Sequence, residues 1–262
     1  MSLIVTVWTS EGIVMGSDSR ISFSSTLAPN IPVNVQTGHY FDTQEKTFIG
    51  PNNCGISTCG AASLQGKNIT GFIKNYIDTQ VQSTTSVYDT ANNLKNFIQG
   101  IDNTAEVHFI VAGYNNQPNG TKVPTVYSVI TGAAGGINNI SGNGIGVKWD
   151  GEIDTLSRII KAHFMCAQPI QVSGLTLNLT TGAVNVGDAI VLPATQTAVM
   201  PENVIPWDLM TLQDAIDFVR YAINTTIDTM RFTNINKTVG GAIDILVIKP
   251  NKAQWIAHKK LH

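Results

Sequence analysis

The chain opens MSLIVTVWTSEGIVMGSDSR, two apolar, β-branched runs separated by Thr9-Ser10-Glu11, with Gly12 supplying turn chemistry. This pattern commits the N-terminus to a β-hairpin from its first residues onward. Register follows from the pattern, because a slip of one residue turns a strand's apolar side chains to the opposite face. A turn centred on Ser10 aligns Val7 with Ile13, Val5 with Met15 and Leu3 with Ser17 on a nearly all-apolar face. The same register sets Ile4 opposite Gly16 and Ser2 opposite Asp18 on the other face, with cross-strand side chains roughly 5 Å apart. The hairpin thus draws a hydroxyl, a carboxylate and the start of the chain into one small volume. An initiator Met is efficiently removed when the next residue is as small as Ser2, which leaves an α-amine of unperturbed pKa about 7.7–8.0. Such an amine is a usable base for its own hydroxyl. The plainer reading, Ser2 as a tolerated second residue, stays open at this point.

The rest of the chain alternates short strands with pairs of helices. A polar, Pro-containing stretch from about Ile21 to Gln44 has no strong period and reads as a long loop or flap. KTFIG and CGISTCG read as strands around the turn at Pro51-Asn52-Asn53. Leu64, Ile69, Phe72, Ile73, Tyr76 and Ile77 fall at helical spacing, as do Val87, Ala91, Leu94, Phe97 and Ile98. VHFIVAGY and TVYSVITG are strands, followed by the glycine-rich GINNISGNGIGVKW and a helix near Ile153 to Met165. A stretch with alternating VSGLTLNL and DAIVL reads as an inserted β arm at about residues 168–209. Leu212, Ala215, Ile216, Val219, Ala222, Ile223 and Ile227 form the strongest amphipathic helix, and AIDILVI and QWIAHKK close the chain as strands. Strand runs and helix pairs without a βαβ rhythm predict an α+β fold with mainly antiparallel sheets. One domain over residues 1–262 accommodates the pattern, since no linker and no internal repeat divides it.

A net charge of −2 with 13% charged residues leaves no footprint for nucleic acid or an anionic membrane. Cys54, Cys59 and Cys166 form no CxxC pair and read as small core residues in a reducing compartment. No stretch reaches the roughly 18 apolar residues of a membrane helix, and the first residues lack a secretory signal, so the expected location is the cytoplasm. The glycine-rich stretches lack the context of a dinucleotide fingerprint and read as turns. His39, His108, His163, His258 and His262 show no close metal-ligand spacing, and His108, on an apolar strand, reads as a core residue. No metal and no cofactor is expected.

Ser2, the GIVMGSDSR stretch ending at Arg20, Lys46 in QEKTFIG and the STCGAA segment around Gly60 resemble the proteasome-type N-terminal-nucleophile hydrolases. In that family a Thr or Ser at the mature N-terminus precedes a GVVxAxDxR strand, then a Lys, then a Gly. TMRFTNINKTVGGAIDILVI is similar to the same superfamily, most of all to its bacterial ancestral β-subunit branch. The resemblance covers residues 2–114 well and 211–256 less closely. It implies a four-layer αββα sandwich, two antiparallel sheets flanked by helix pairs. It further implies that Ser2 is the nucleophile, that Lys46 lowers the cost of its alkoxide, and that Asp18 fixes Lys46. The N–H of Gly60 would donate to the oxyanion, and Ser22 would border an edge where an extended peptide adds as a strand. Thr58 and Ala62 would line a first pocket. Arg20 would support the site; the family's amine-supporting Asp and Ser fall near Asn236 and Val239, with Thr238 adjacent as a supporting residue, and its further supporting Ser falls near Asn143.

The leading reading is an N-terminal-serine amidohydrolase, a proteasome-like peptidase working within a homo-oligomeric ring or helix. Its substrate would be a peptide or a small amide. The alternative is a noncatalytic proteasome-like subunit that uses the same sandwich for assembly or binding. No residue names an activating ATPase partner.

Overall fold

The computed structural model describes residues 2–24, 38–79, 86–142, 144–160, 163–165, 170–177, 184–192, 197–199, 205–233 and 236–259. In chain order the first half forms β1 (Leu3–Trp8), β2 (Ile13–Ser17), β3 (Ile21–Ser24), β4 (Gly38–Phe41), β5 (Thr47–Ile49), β6 (Gly55–Gly60), β7 (Ser63–Leu64) and β8 (Lys67–Asn68). Helices α1 (Ile69–Thr79) and α2 (Val87–Ile101) follow, then β9 (Val107–Asn116), β10 (Lys122–Ile130), β11 (Ile137–Asn139) and β12 (Gly146–Gly151). After α3 (Asp154–Ile159) come β13 (His163–Met165), β14 (Ile170–Leu177), β15 (Val184–Leu192) and β16 (Thr197–Val199). Helix α4 (Leu212–Phe232), β17 (Asp244–Lys249) and β18 (Lys252–Ala257) complete the chain.

Contacts group these elements into two compact units, Met1–Ile153 with Pro206–His262, and Asp154–Ile205. In the first unit two five-stranded sheets run in the orders β12-β1-β2-β17-β18 and β11-β10-β9-β6-β5, every pairing antiparallel. They stack through a core of Ile4, Trp8, Ile13, Met15, Leu246 and Ile248 on one side and Cys59, Ile110, Ala112 and Val126 on the other. Helices α1 and α2 cover the outer face of the second sheet, burying Ile69, Ile73, Tyr76, Leu94 and Ile98 against Phe109 and Val111. The outer face of the first sheet is covered by α4, the longest helix among the described residues. Its N-terminus is fixed by a capping box in which Thr211 and Asp214 satisfy each other's backbone N–H groups, a cap whose loss typically costs about 1 kcal/mol. The expected α+β sandwich of antiparallel sheets is therefore the architecture.

The hairpin register differs from the expectation by one residue. Val7 pairs with Val14, Val5 with Gly16 and Ile4 with Ser17, a turn centred half a residue later than Ser10. The Thr9 N–H donates to Gly12 O at 2.9 Å across that turn. Apolar patterning could not select the register because both faces are covered: every residue of Leu3–Trp8 and Ile13–Ser17 is buried. Leu3, Val5, Val7 and Val14 turn toward α4, while Ile4, Trp8, Ile13 and Met15 face the second sheet. Ser2 shares the parity of Ile4 and so heads for the space between the sheets.

Two further expectations are corrected. The stretch from Ile21 to Gln44 contains the antiparallel pair β3–β4, with Ser22 opposite Tyr40. The helix expected from Ile153 to Met165 stops at Ile159, and His163–Met165 instead pairs as a strand with Thr197–Val199. That pairing and the β14–β15 hairpin belong to the second unit.

Candidate active site

Asp18 leaves the end of β2 and is fully buried, where a bare carboxylate would be costly. Four donors satisfy it. Its Oδ1 accepts from the Leu3 N–H at 3.0 Å and from Lys46 Nζ at 2.7 Å. Its Oδ2 accepts from the N–H groups of Arg20 and Gly240, both at 3.0 Å. Lys46, just before β5, is only 3% exposed, and its Nζ also donates to the Arg20 carbonyl at 2.5 Å. Burial pushes the Lys46 pKa down, and the charge and hydrogen bond of Asp18 recover only part of the shift, so the net direction is below the ordinary lysine value.

Ser2, Ser22, Lys46, Thr58, Gly60 and Ala62 line one cleft. Six of the seven residues expected for nucleophile, charge, oxyanion and pocket thus meet there, and the seventh, Asp18, lies on Lys46. Gly60 ends β6 at φ 93°, and a Cβ at that position would come within 2.8 Å of Glu106 O, so the exposed peptide there demands glycine. Thr58 donates its N–H to Lys46 O at 2.8 Å, while its buried Oγ1 has no hydrogen-bond partner among the described residues.

Arg20 supports the site through its backbone, with its N–H on Asp18 and its carbonyl on Lys46. Its guanidinium turns elsewhere, to both oxygens of Asp42 at 2.6 and 2.7 Å and over the Tyr40 ring at 3.8 Å. Asn143 lies outside the described residues. Thr238 is buried, and its Oγ1 lies 3.4 Å from Glu152 Oε2.

Glu152 itself was not read from the sequence, yet its N–H donates to the Ser2 carbonyl at 2.8 Å. It follows β12, which lies along β1 with Leu3 opposite Gly151. The local signal was Asp150-Gly151 closing a strand just before the helix that starts at Asp154. His108 is likewise not a core residue: a quarter of its side chain is exposed, with Nδ1 3.1 Å from Asp150 Oδ2 and Nε2 3.1 Å from Glu106 Oε1. Burial pulls its pKa down, but the two carboxylates outweigh that and raise it overall.

No family model matches the chain, and no curated protein matches it in sequence. Solved structures do match in fold. An Anbu mutant from Hyphomicrobium sp. strain MC1 is 14% identical with a TM-score of 0.52, over 98% of this chain and 88% of that one. Eukaryotic HslV from Trypanosoma brucei is 12% identical with a TM-score of 0.43, over 94% of this chain and 99% of that one. The fold is that of the proteasome-type N-terminal-nucleophile hydrolases, with its stacked antiparallel sheets and outer helices. Among the described residues no helix is long and apolar enough to cross a membrane.

Proposed function

We propose that the chain is an N-terminal-serine amidohydrolase of the proteasome-like kind, acting on an extended peptide. The observation that carries this reading is the cleft in which Ser2, Lys46 and Gly60 meet above the buried Asp18–Lys46 pair. After removal of Met1, the free α-amine takes the proton from Ser2 Oγ as that oxygen bonds to the scissile carbonyl carbon. The same proton then leaves with the departing amine, and water hydrolyses the resulting acyl ester. The Lys46 ammonium favours the alkoxide, and the Gly60 N–H receives the negative charge that develops on the carbonyl oxygen. The reading is supported by Glu152, whose N–H donates to the Ser2 carbonyl and whose Oε2 lies 3.4 Å from Thr238 Oγ1.

Substrate entry along β3 is supported by its pairing, which among the described residues is with β4 alone. Thr58 lines the same cleft. In this reading Asp154–Ile205 is an arm inserted into one hydrolase domain. A homo-oligomer, ring or helix, is supported by the exposed apolar side chains Leu209, Tyr221 and Phe232 along and beside α4, and sedimentation velocity reads it directly.

Intact-mass measurement is expected to give a chain lacking Met1. An electrophile that must bond to both a hydroxyl and an adjacent primary amine is expected to add once per wild-type chain and not to Ser2→Ala. Retention of Met1, or equal labelling of the two proteins, favours the noncatalytic scaffold instead. The rate of labelling should fall at alkaline pH below the range of an ordinary lysine, because the depressed Lys46 pKa removes the helpful charge early. A profile with no such limb up to pH ~10.4, the ordinary lysine value, would remove Lys46 from the mechanism.

A further inference from the structure

At the wall of the cleft, which Cys59 itself lines, three strands that are distant in sequence bring Cys59, His108 and Asp150 together, their ligand atoms all within 4.8 Å of one another. From this convergence we infer a divalent transition-metal site, suited to Zn²⁺, that is distinct from the hydrolytic residues. Spacing along the chain could not reveal it, since β6, β9 and β12 each supply one donor.

The scaffold is rigid where it matters. Cys59 and His108 are directly opposite one another in the β6–β9 ladder, and Asp150 comes from β12 in the facing sheet. Around a tetrahedral Zn²⁺, with bonds of about 2.0–2.3 Å, donor atoms stand roughly 3.3–3.7 Å apart. His108 Nδ1 and Asp150 Oδ2 are already 3.1 Å apart, so side-chain adjustments alone close the set. The thiol selects Zn²⁺ over Mg²⁺ or Ca²⁺, whose preferred ligands are oxygens.

The surrounding hydrogen bonds are those that metal ligands require. With Nδ1 on the metal, the opposite ring nitrogen of His108 donates to Glu106 Oε1 at 3.1 Å, a carboxylate–histidine–metal arrangement that fixes tautomer and ring angle. The second oxygen of Asp150 accepts the Gly151 N–H at 2.7 Å. Because both ring nitrogens of His108 face carboxylates, it is poorly placed to act instead as a base toward the Cys59 thiol. Cys59 is buried, while His108 and Asp150 are 24% and 19% exposed, which leaves one side open for a water as fourth ligand. On binding, the Cys59 S–H bond breaks, its proton passes to solvent, and the sulfur lone pair forms the Zn–S bond, with no change in oxidation state.

The test is titration of the metal-stripped full chain with Zn²⁺ alone, in competition with a chromophoric chelator, and then with Co²⁺. Expected are one ion per chain and a thiolate-to-cobalt charge-transfer band. Cys59→Ser should abolish the band and weaken Zn²⁺ binding about 100-fold, and Glu106→Gln, which touches no metal, should weaken it about 10- to 100-fold. His108→Gln provides the same test at a partly exposed position should the serine variant fold poorly, and metal-free thermal unfolding reports folding of each. Failure of the wild type to bind, or binding unaltered in Cys59→Ser and His108→Gln, overturns the site. The result is independent of hydrolysis, since neither metal stoichiometry nor the cobalt spectrum needs Ser2 to react.

Discussion

Asp18→Ala is expected to lower the free energy of unfolding by about 3–5 kcal/mol, the range for a buried ion pair that loses one member. That lowers the folded-to-unfolded ratio by roughly a hundredfold to more than a thousandfold. The substitution strands the Lys46 ammonium, which is 3% exposed, with only the Arg20 carbonyl as partner. It also orphans the N–H groups of Leu3, Arg20 and Gly240, three donors that tie β1, the end of β2 and the approach to β17 to one carboxylate. Lys46→Met alone should cost less, because Asp18 keeps those three backbone donors. The double variant Asp18→Ala with Lys46→Met should recover about 0.5–3 kcal/mol relative to the sum of the two single changes, which measures their coupling. Urea unfolding of the four proteins checks this, and additive single effects would show that the ion pair does not hold the hairpin. The pH dependence has a definite sign. Lys46 binds its proton less tightly folded than unfolded, so between its lowered pKa and the ordinary value near 10.4 the unfolded chain holds more protons. Stability contributed by Lys46 therefore rises with pH through that window, and the cost of burying its charge is fully present below it. In Asp18→Ala the rise should begin at lower pH, since the interactions that hold the lysine pKa up are gone.

Placements that depend on a short stretch of chain were legible, and those delivered by distant strands were not. The order Ser2, Asp18, Lys46, Gly60 lies within the first sixty residues, where a hairpin and a neighbouring strand pair bring Ser2, Lys46 and Gly60 to one cleft and Asp18 onto Lys46. The register of that hairpin escaped because apolar alternation is informative only when one face meets water, and here Leu3–Trp8 is buried throughout. Glu152 escaped because Asp150-Gly151 marks only the end of a strand, not that β12 will lie along β1 and bring the Glu152 N–H to Ser2. Cys59, His108 and Asp150 each look unremarkable in their own strand, and their chemistry exists only once the two sheets stack. The helix expected through Met165 illustrates the remaining failure, a local period overridden where pairing with Thr197–Val199 is available to His163–Met165.

Gly151→Ala is expected to slow labelling of Ser2 by about a hundredfold or more, since a displacement near 1 Å at a reacting group costs on that order. Gly151 sits at φ 93°, and a Cβ built there falls 1.8 Å from the Ser2 carbonyl oxygen, on backbone that cannot rotate out of the way. Cys59 Cβ, 3.3 Å from the same point, closes the other direction. The methyl group must therefore push Ser2 away from β12, breaking the 2.8 Å bond from the Glu152 N–H that sets its position. Strain at a left-handed residue adds about 1–3 kcal/mol, and overpacking typically another 1–3 kcal/mol, so thermal unfolding should also move down. Gly66→Ala separates these contributions. Gly66 has φ 73° in the β7–β8 turn with nothing within 4 Å of its would-be Cβ, so it carries the strain without the collision. That control should lose stability and keep the labelling rate. If Gly151→Ala labelled as fast as the wild type while unfolding earlier, Ser2 would not be held in its reactive position by β12. The nucleophile assignment would then have to rest on Lys46 and Gly60 alone.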